Sequence, residues 1–115
     1  MSYPLDCLFC SFISGEAPVD IVAQNASAIA FRDINSQAPL HVLVVPRDHY
    51  ADVAALDDAD PRALADLVGL ARDVALNEAG GEFRLVFNSG PTAGQSIYHV
   101  HGHVLGGTTL GWTPA

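Results

Sequence analysis

The 115 residues carry thirteen carboxylates against five arginines and no lysine, a formal charge of -8, and half of them are apolar. That length and apolar content fit one domain, residues 1–115, with a core that needs no disulfide, and the acidic balance argues against nucleic-acid binding by phosphate neutralisation. No apolar stretch reaches the roughly 18 residues of a membrane span, and MSYPLDCLFC lacks the basic flank and small-residue cleavage site of a secretory leader, so a cytoplasmic protein without a membrane partner is expected.

In chain order, Asp6 is placed to cap a short helix through Leu8, Phe9, Phe12 and Ile13, with Gly15 as its stop. Ile21–Ala23 and Ala28–Arg32 read as extended and joined at Gln24-Asn25 in a hairpin. Leu40–Val45, between Pro39 and Pro46, is a β-branched apolar run suited to a buried central strand. The acidic residues between Asp48 and Asp73 read as a solvated helix face. Asp60-Pro61 is a helix start, and Leu64, Leu67, Val68, Ala71, Val74 and Ala75 follow the spacing of one buried face until Gly80-Gly81. Phe83–Asn88 reads as a strand, Ser89–Gln95 as a loop, and Ser96–Leu105 as a further strand ended by Gly106-Gly107. One short helix, several strands, one long helix and two more strands make an α+β domain with an antiparallel sheet.

The chemistry concentrates in Tyr98-His99-Val100-His101-Gly102-His103-Val104-Leu105. Strand alternation puts His99, His101 and His103 on one face, about 7 Å apart, and Val100, Gly102 and Val104 on the other. Imidazoles can act as nucleophile, proton carrier or metal ligand, and the pattern alone leaves a metal site and a nucleophile site equally open. Gly94-Gln95-Ser96, just upstream, supplies an amide, a hydroxyl and flexible backbone that could hold a phosphate without lysine, which favours phosphorus chemistry. Cys7 and Cys10 have a two-residue gap that lets both thiolates reach one ion, although the motif needs partners from elsewhere. A thioredoxin-like pair would require a preceding strand. Taken alone, His41 reads as a core histidine, Asp33 as a strand-end residue, Asn88 as a turn former, and Trp112 as the cover of an apolar patch or a contact to a second subunit.

The ordered run Gly94-Gln95-Ser96-Ile97-Tyr98-His99-Val100-His101-Gly102-His103-Val104-Leu105-Gly106-Gly107 resembles the signature of the histidine triad (HIT) hydrolases, specifically the Hint branch. Further matches are Phe31-Arg32-Asp33-Ile34, Gln37 to Pro46 with His49, Phe87-Asn88-Ser89-Gly90 and Gly111-Trp112, so the likeness spans nearly the whole chain. The resemblance implies a HIT-like fold: an antiparallel five-stranded sheet with one long and one short helix, the sheet extended across a two-fold homodimer. It implies an enzyme that cleaves nucleoside 5′-phosphoramidates through a nucleotidyl intermediate on His101, with Ser96 donating to the leaving group or a phosphate oxygen. His103, Asn88 and Gln95 would cradle the phosphate, and His41 would support the nucleophile. Asp33 would bind the ribose hydroxyls, and Phe31 and Ile34, with Ile21 a further candidate, would line the pocket of a purine base such as that of AMP. Cys7, Cys10, His49 and His99 would hold a structural zinc, and no organic cofactor is implied. The alternatives are a dinucleoside polyphosphate hydrolase, a non-catalytic nucleotide-binding regulator, and a protein whose three triad histidines form one metal site. Two departures from the family pattern stand out: Gly102, where a bulky apolar residue is the rule and looser packing is expected, and the tail from Gly107 to Ala115, which bears on the choice of leaving group.

Overall fold

The computed structural model describes residues 7–112. Its elements run α1 (Leu8–Ser14), β1 (Ile21–Gln24), β2 (Ala28–Arg32), β3 (Leu40–Pro46), α2 (Val53–Ala59), α3 (Pro61–Glu78), β4 (Phe83–Phe87), a 3-10 turn (Pro91–Ala93) and β5 (Gly102–Gly106). All strand pairs are antiparallel, and the sheet order is β1-β2-β3-β5-β4. The α+β class and the five-stranded sheet are as expected; the helices number three rather than two.

Buried along its whole length, β3 is the middle strand, and its alternation decides what each face of the sheet does. Leu40, Val42 and Val44 join Ala28, Ala30, Val100 and Val104 under Leu56 of α2 and Leu67, Leu70 and Val74 of α3. On the opposite face Leu43 and Val45 join Ile29 and Phe31 under Phe9 of α1. The first face is thus closed by the long helix, whereas the seven-residue α1 covers only part of the second and leaves the rest available to a ligand.

Local chemistry explains most boundaries. The Asp60 carboxylate accepts from Ala63 N at 3.1 Å and Pro61 takes the first helical position, as the sequence suggested. The buried stripe of α3 is Ala63, Leu67, Leu70, Ala71, Val74 and Ala75, while Val68 faces outward. Ahead of it α2 is a separate helix, capped by Asp52 through Ala55 N at 2.9 Å. Gly15 ends α1 in the left-handed region at φ 85°. The capping role expected of Asp6 lies outside the described residues; among these, Cys7 holds the cap position, and its sulfur accepts from Cys10 N at 3.4 Å.

The last strand begins at Gly102 rather than at Ser96. Its ladder partners run out on both sides, since β4 ends at Phe87, opposite Gly102, and β3 ends in Pro46, which has no N–H to offer. The backbone of Val100 turns instead to the carbonyl of Tyr50, 2.8 Å away. No described helix is long and apolar enough to cross a membrane.

Candidate functional site

All five histidines of the chain converge on two adjoining clusters. In the first, Cys7 and Cys10 at the start of α1 meet His49, from the segment after β3, and His99, with their four ligand atoms within 4.8 Å of one another. His99 Nδ1 lies 3.5 Å from each sulfur and 3.2 Å from His49 Nδ1, and Cys10 Sγ lies 3.4 Å from His49 Nδ1. A tetrahedral ion about 2.3 Å from sulfur and about 2.0–2.1 Å from nitrogen holds its ligands at about these separations. The tautomer fits as well. His99 Nε2 donates to the Pro46 carbonyl at 3.0 Å, which fixes the ring and leaves Nδ1 unprotonated toward the sulfurs, where it could bind a cation. Burial pushes His99 down to about 4 and so keeps it neutral. Burial, with Cys7 beside it, pushes the Cys10 thiol up to about 12, so a cation is what would hold it as a thiolate.

The second cluster lines a cleft of about 1340 Å³ on the open face of the sheet, where His41, His101 and His103 share the wall with Phe9, Phe31 and Asp33. The His101 ring packs edge-on against Phe9, with centroids 5.0 Å apart, and lies 5.3 Å from the His103 ring. Its Nδ1 donates to the His99 carbonyl at 3.0 Å. In the neutral ring that bond places the proton on Nδ1 and leaves Nε2 as a free lone pair, the state a nitrogen nucleophile requires.

Hydrogen bonding also assigns His41. Its Nδ1 accepts the backbone N–H of Gln37 at 2.9 Å, so in the neutral ring Nε2 carries the proton and faces His103 Nδ1 at 3.0 Å and Asp33 Oδ2 at 3.2 Å. His103 Nδ1 is then an acceptor and its Nε2 a donor. Burial, then the neighbouring His101 and His41, pull His103 down to about 4 against the opposing pull of Asp33. Asp33, His41 and His103 are close enough to hold an ion, but a metal on His41 Nε2 would have to displace the proton that the Gln37 N–H requires there. The set is a hydrogen-bonded chain. The three triad histidines are likewise divided, His99 to the cysteines and the other two to the cleft, which removes the reading of them as one metal site.

The other expected residues divide in the same way. Ser96, Asn88 and Ile34 line the cleft with Phe31. Asn88 also donates to the Ala93 carbonyl at 2.8 Å, which braces the 3-10 turn. Gln95 sits behind the wall: its amide oxygen accepts from Gly90 N at 2.9 Å and its nitrogen donates to the carbonyls of Ala51 and Ile97, so it holds the loop. Its amide has no reach left for a phosphate. His41 meets His103 rather than His101. The apolar wall is made by Leu8, Phe12 and Val19 in place of Ile21. Sequence reasoning missed these residues and Phe9, although the helical spacing of Leu8, Phe9 and Phe12 around Cys7 and Cys10 put them on α1; Val19, beyond the helix, carried no such signal. Arg32 lines the cleft but is forked onto Glu78 at 2.6 and 2.9 Å, and that pairing raises its pKa further. An anion in the cleft would therefore be met chiefly by neutral donors. Packing beneath Gly102 is closed rather than loose, since Leu85 and Phe87 occupy the space of the missing side chain.

A helix-backed antiparallel sheet, with three histidines lining a cleft and a separate thiol–imidazole cluster beside them, makes an α+β protein whose imidazoles are gathered at two adjoining sites. The HIT domain profile matches residues 14–110, and the chain belongs to the HIT family. It is 38% identical over 110 residues to a HIT-like protein of Synechocystis, covering 95% of this chain and 96% of the relative. It is 37% identical over 110 residues to a 14 kDa zinc-binding protein of Zea mays, covering 93% and 86%. Among solved structures, the HIT family hydrolase from Legionella pneumophila superposes with a TM-score of 0.89 at 40% identity over 96% of this chain and all of that one. The HIT family hydrolase from Clostridium thermocellum gives 0.87 at 38% identity over 95% and 96%.

Proposed function

We propose that this protein is a nucleotide hydrolase that cleaves nucleoside 5′-phosphoramidates by covalent catalysis on His101. One observation carries the reading: the His99 carbonyl accepts a hydrogen bond from His101 Nδ1–H and so leaves Nε2 with the lone pair of a ring that lines the cleft. Nε2 attacks the α-phosphorus, the P–N bond breaks, and its electron pair leaves with the amine, which gains a proton through the Ser96 hydroxyl. Water then attacks the nucleotidyl-imidazole, the N–P bond returns its electrons to Nε2, and the proton lost by water balances the one the amine took. Asn88, Ser96 and the Nε2–H of His103 are the neutral donors for the phosphate oxygens. Phe31, Ile34 and the α1 side chains would receive the base, and Asp33 the ribose hydroxyls.

The first cluster is read as a structural zinc site with no open position, supported by its four-ligand donor set, and the maize relative's name points the same way. A two-fold dimer is also part of the proposal. The outer edge of β4 has no partner strand among the described residues, and Val68 and Leu76 are exposed on α3. Turnover of an adenosine 5′-phosphoramidate against a diadenosine polyphosphate tests the substrate class. Faster cleavage of the phosphoramidate is expected; faster cleavage of the polyphosphate would assign the site to anhydride hydrolysis, and tight AMP binding with neither product would make the protein a regulator.

A further inference from the structure

Gly102 separates His101 and His103 of the cleft and lies opposite Phe87 on one side and Val44 on the other. It is buried, on the side of β5 that faces the long helix. A Cβ added there would stand 2.8 Å from Leu85 Cδ1 and 3.1 and 3.2 Å from Phe87 Cε1 and Cζ. The edge of the Phe87 ring therefore rests against the bare Cα between His101 and His103. A glycine inside a strand has no side chain with which to anchor its backbone, and a cross-strand aromatic can supply that packing.

Phe87 is also joined directly to Asn88, which lines the cleft and braces the 3-10 turn. Its ring thus spans the two strands that bring Asn88 and the histidine pair to the same cleft.

We propose that Phe87 is a positioning residue that sets the backbone of His101-Gly102-His103 relative to Asn88 by filling the space of a side chain at position 102. The proposal rests on the reading of His101 as nucleophile. Phe87 itself does not line the cleft, so its effect must pass through the backbone it supports. The pair is complementary in volume, all on β4 and none on β5. Removing the ring leaves a void beneath the histidines, and a large side chain at 102 drives the ring out. The methyl end of Leu85 can rotate away from a small addition, whereas a leucine needs the space that the ring edge itself fills.

The test compares wild type, Phe87→Ala, Gly102→Leu and the double variant. A backbone displacement approaching 1 Å at a reacting group can cost on the order of a hundredfold, so each single variant is expected to lower kcat by about tenfold or more with KM changed less than about threefold. The double variant, with its volume restored from the other strand, should recover most of the loss. Imidazole 15N resonances of His101 and His103 form the second readout: they should move in both single variants and return in the double. A merely structural pair would change the melting temperature and leave kcat per folded molecule and the ring resonances unmoved, and that result, or additive losses in the double variant, would overturn the proposal. Should Phe87→Ala not fold, Phe87→Leu takes its place under the same criteria. If wild type turns over no phosphoramidate, the functional reading fails by itself, and the ring resonances still decide whether positions 87 and 102 are coupled.

Discussion

The carbonyl of His99 accepts the Nδ1 proton of His101 at 3.0 Å, while the ring of the same His99 points the other way, into the Cys7, Cys10 and His49 cluster. One residue therefore joins the proposed metal site to the proposed nucleophile, through its side chain on one side and its backbone on the other. Phe9 makes a second connection, since it lies on α1 between the two cysteines and packs against both His99 and His101, at centroid distances of 5.9 and 5.0 Å.

Removal of zinc from the proposed site should consequently impair chemistry as well as stability. Chelation, or Cys10→Ser, is expected to lower the melting temperature and to reduce turnover by about tenfold or more, the scale on which supporting residues of a metal site act. Metal content, melting temperature and kcat measured on the same samples check this, with recovery on adding zinc to the chelated wild type. Full turnover in metal-free protein would separate the two clusters.

His101→Ala should abolish turnover by about three orders of magnitude or more, as expected for a covalent nucleophile. The ring is partly exposed in the cleft, so the fold and AMP binding should survive. Calorimetric titration with AMP beside a turnover assay distinguishes loss of chemistry from loss of the site.

Stability should fall as pH falls, in a window that His103, held at about 4 chiefly by burial, shares with His99. An unfolded histidine titrates near about 6.5, so between that value and about 4 the unfolded chain binds a proton that the folded chain refuses. The contribution is complete above pH about 6.5 and is lost as pH falls through the window, by at most about 1.4 kcal/mol per pH unit. Urea midpoints measured across this range should slope less in His103→Asn than in wild type; parallel slopes would rule out His103 as the source.

Loss of the His41 ring should be felt twice. His41→Ala leaves the Gln37 N–H to water and the half-buried His103 Nδ1 without its partner, and the unsatisfied imidazole nitrogen costs up to about 1–3 kcal/mol. It also frees the tautomer of His103, so kcat should fall further than the stability change alone accounts for, read as activity per folded molecule.

Elements specified by local chemistry were legible in the sequence. The bracketing prolines and β-branched run of β3, the Asp60-Pro61 start of α3 and the Gly15 stop of α1 all act within a few residues of themselves. The two cysteines and the three alternating histidines are also legible as chemistry, because few other residues can do what they do, whereas His41 and His49 take their roles only from the family resemblance. α2 was not, since Leu56 is its one buried side chain and the acidic run around it reads as part of a longer solvated face; Asp52, three residues before the N–H it caps, was the available signal. The premature start given to β5 has another cause: apolar alternation continues through Val100, but a ladder needs partners, and Pro46 withholds one. Composition points Gln95 to the cleft, whereas its direction depends on Ala51, which only the folded chain brings within reach. The tautomer of His41 depends on a backbone N–H and leaves no trace in residue identity.

The most direct measurement is to quench the protein during turnover of a labelled adenosine 5′-phosphoramidate and to locate the label by peptide mass spectrometry. The account requires the adenylyl group on His101, and none on the His101→Ala chain. Label on another residue, or steady turnover with no labelled histidine under conditions that trap the intermediate, would contradict it.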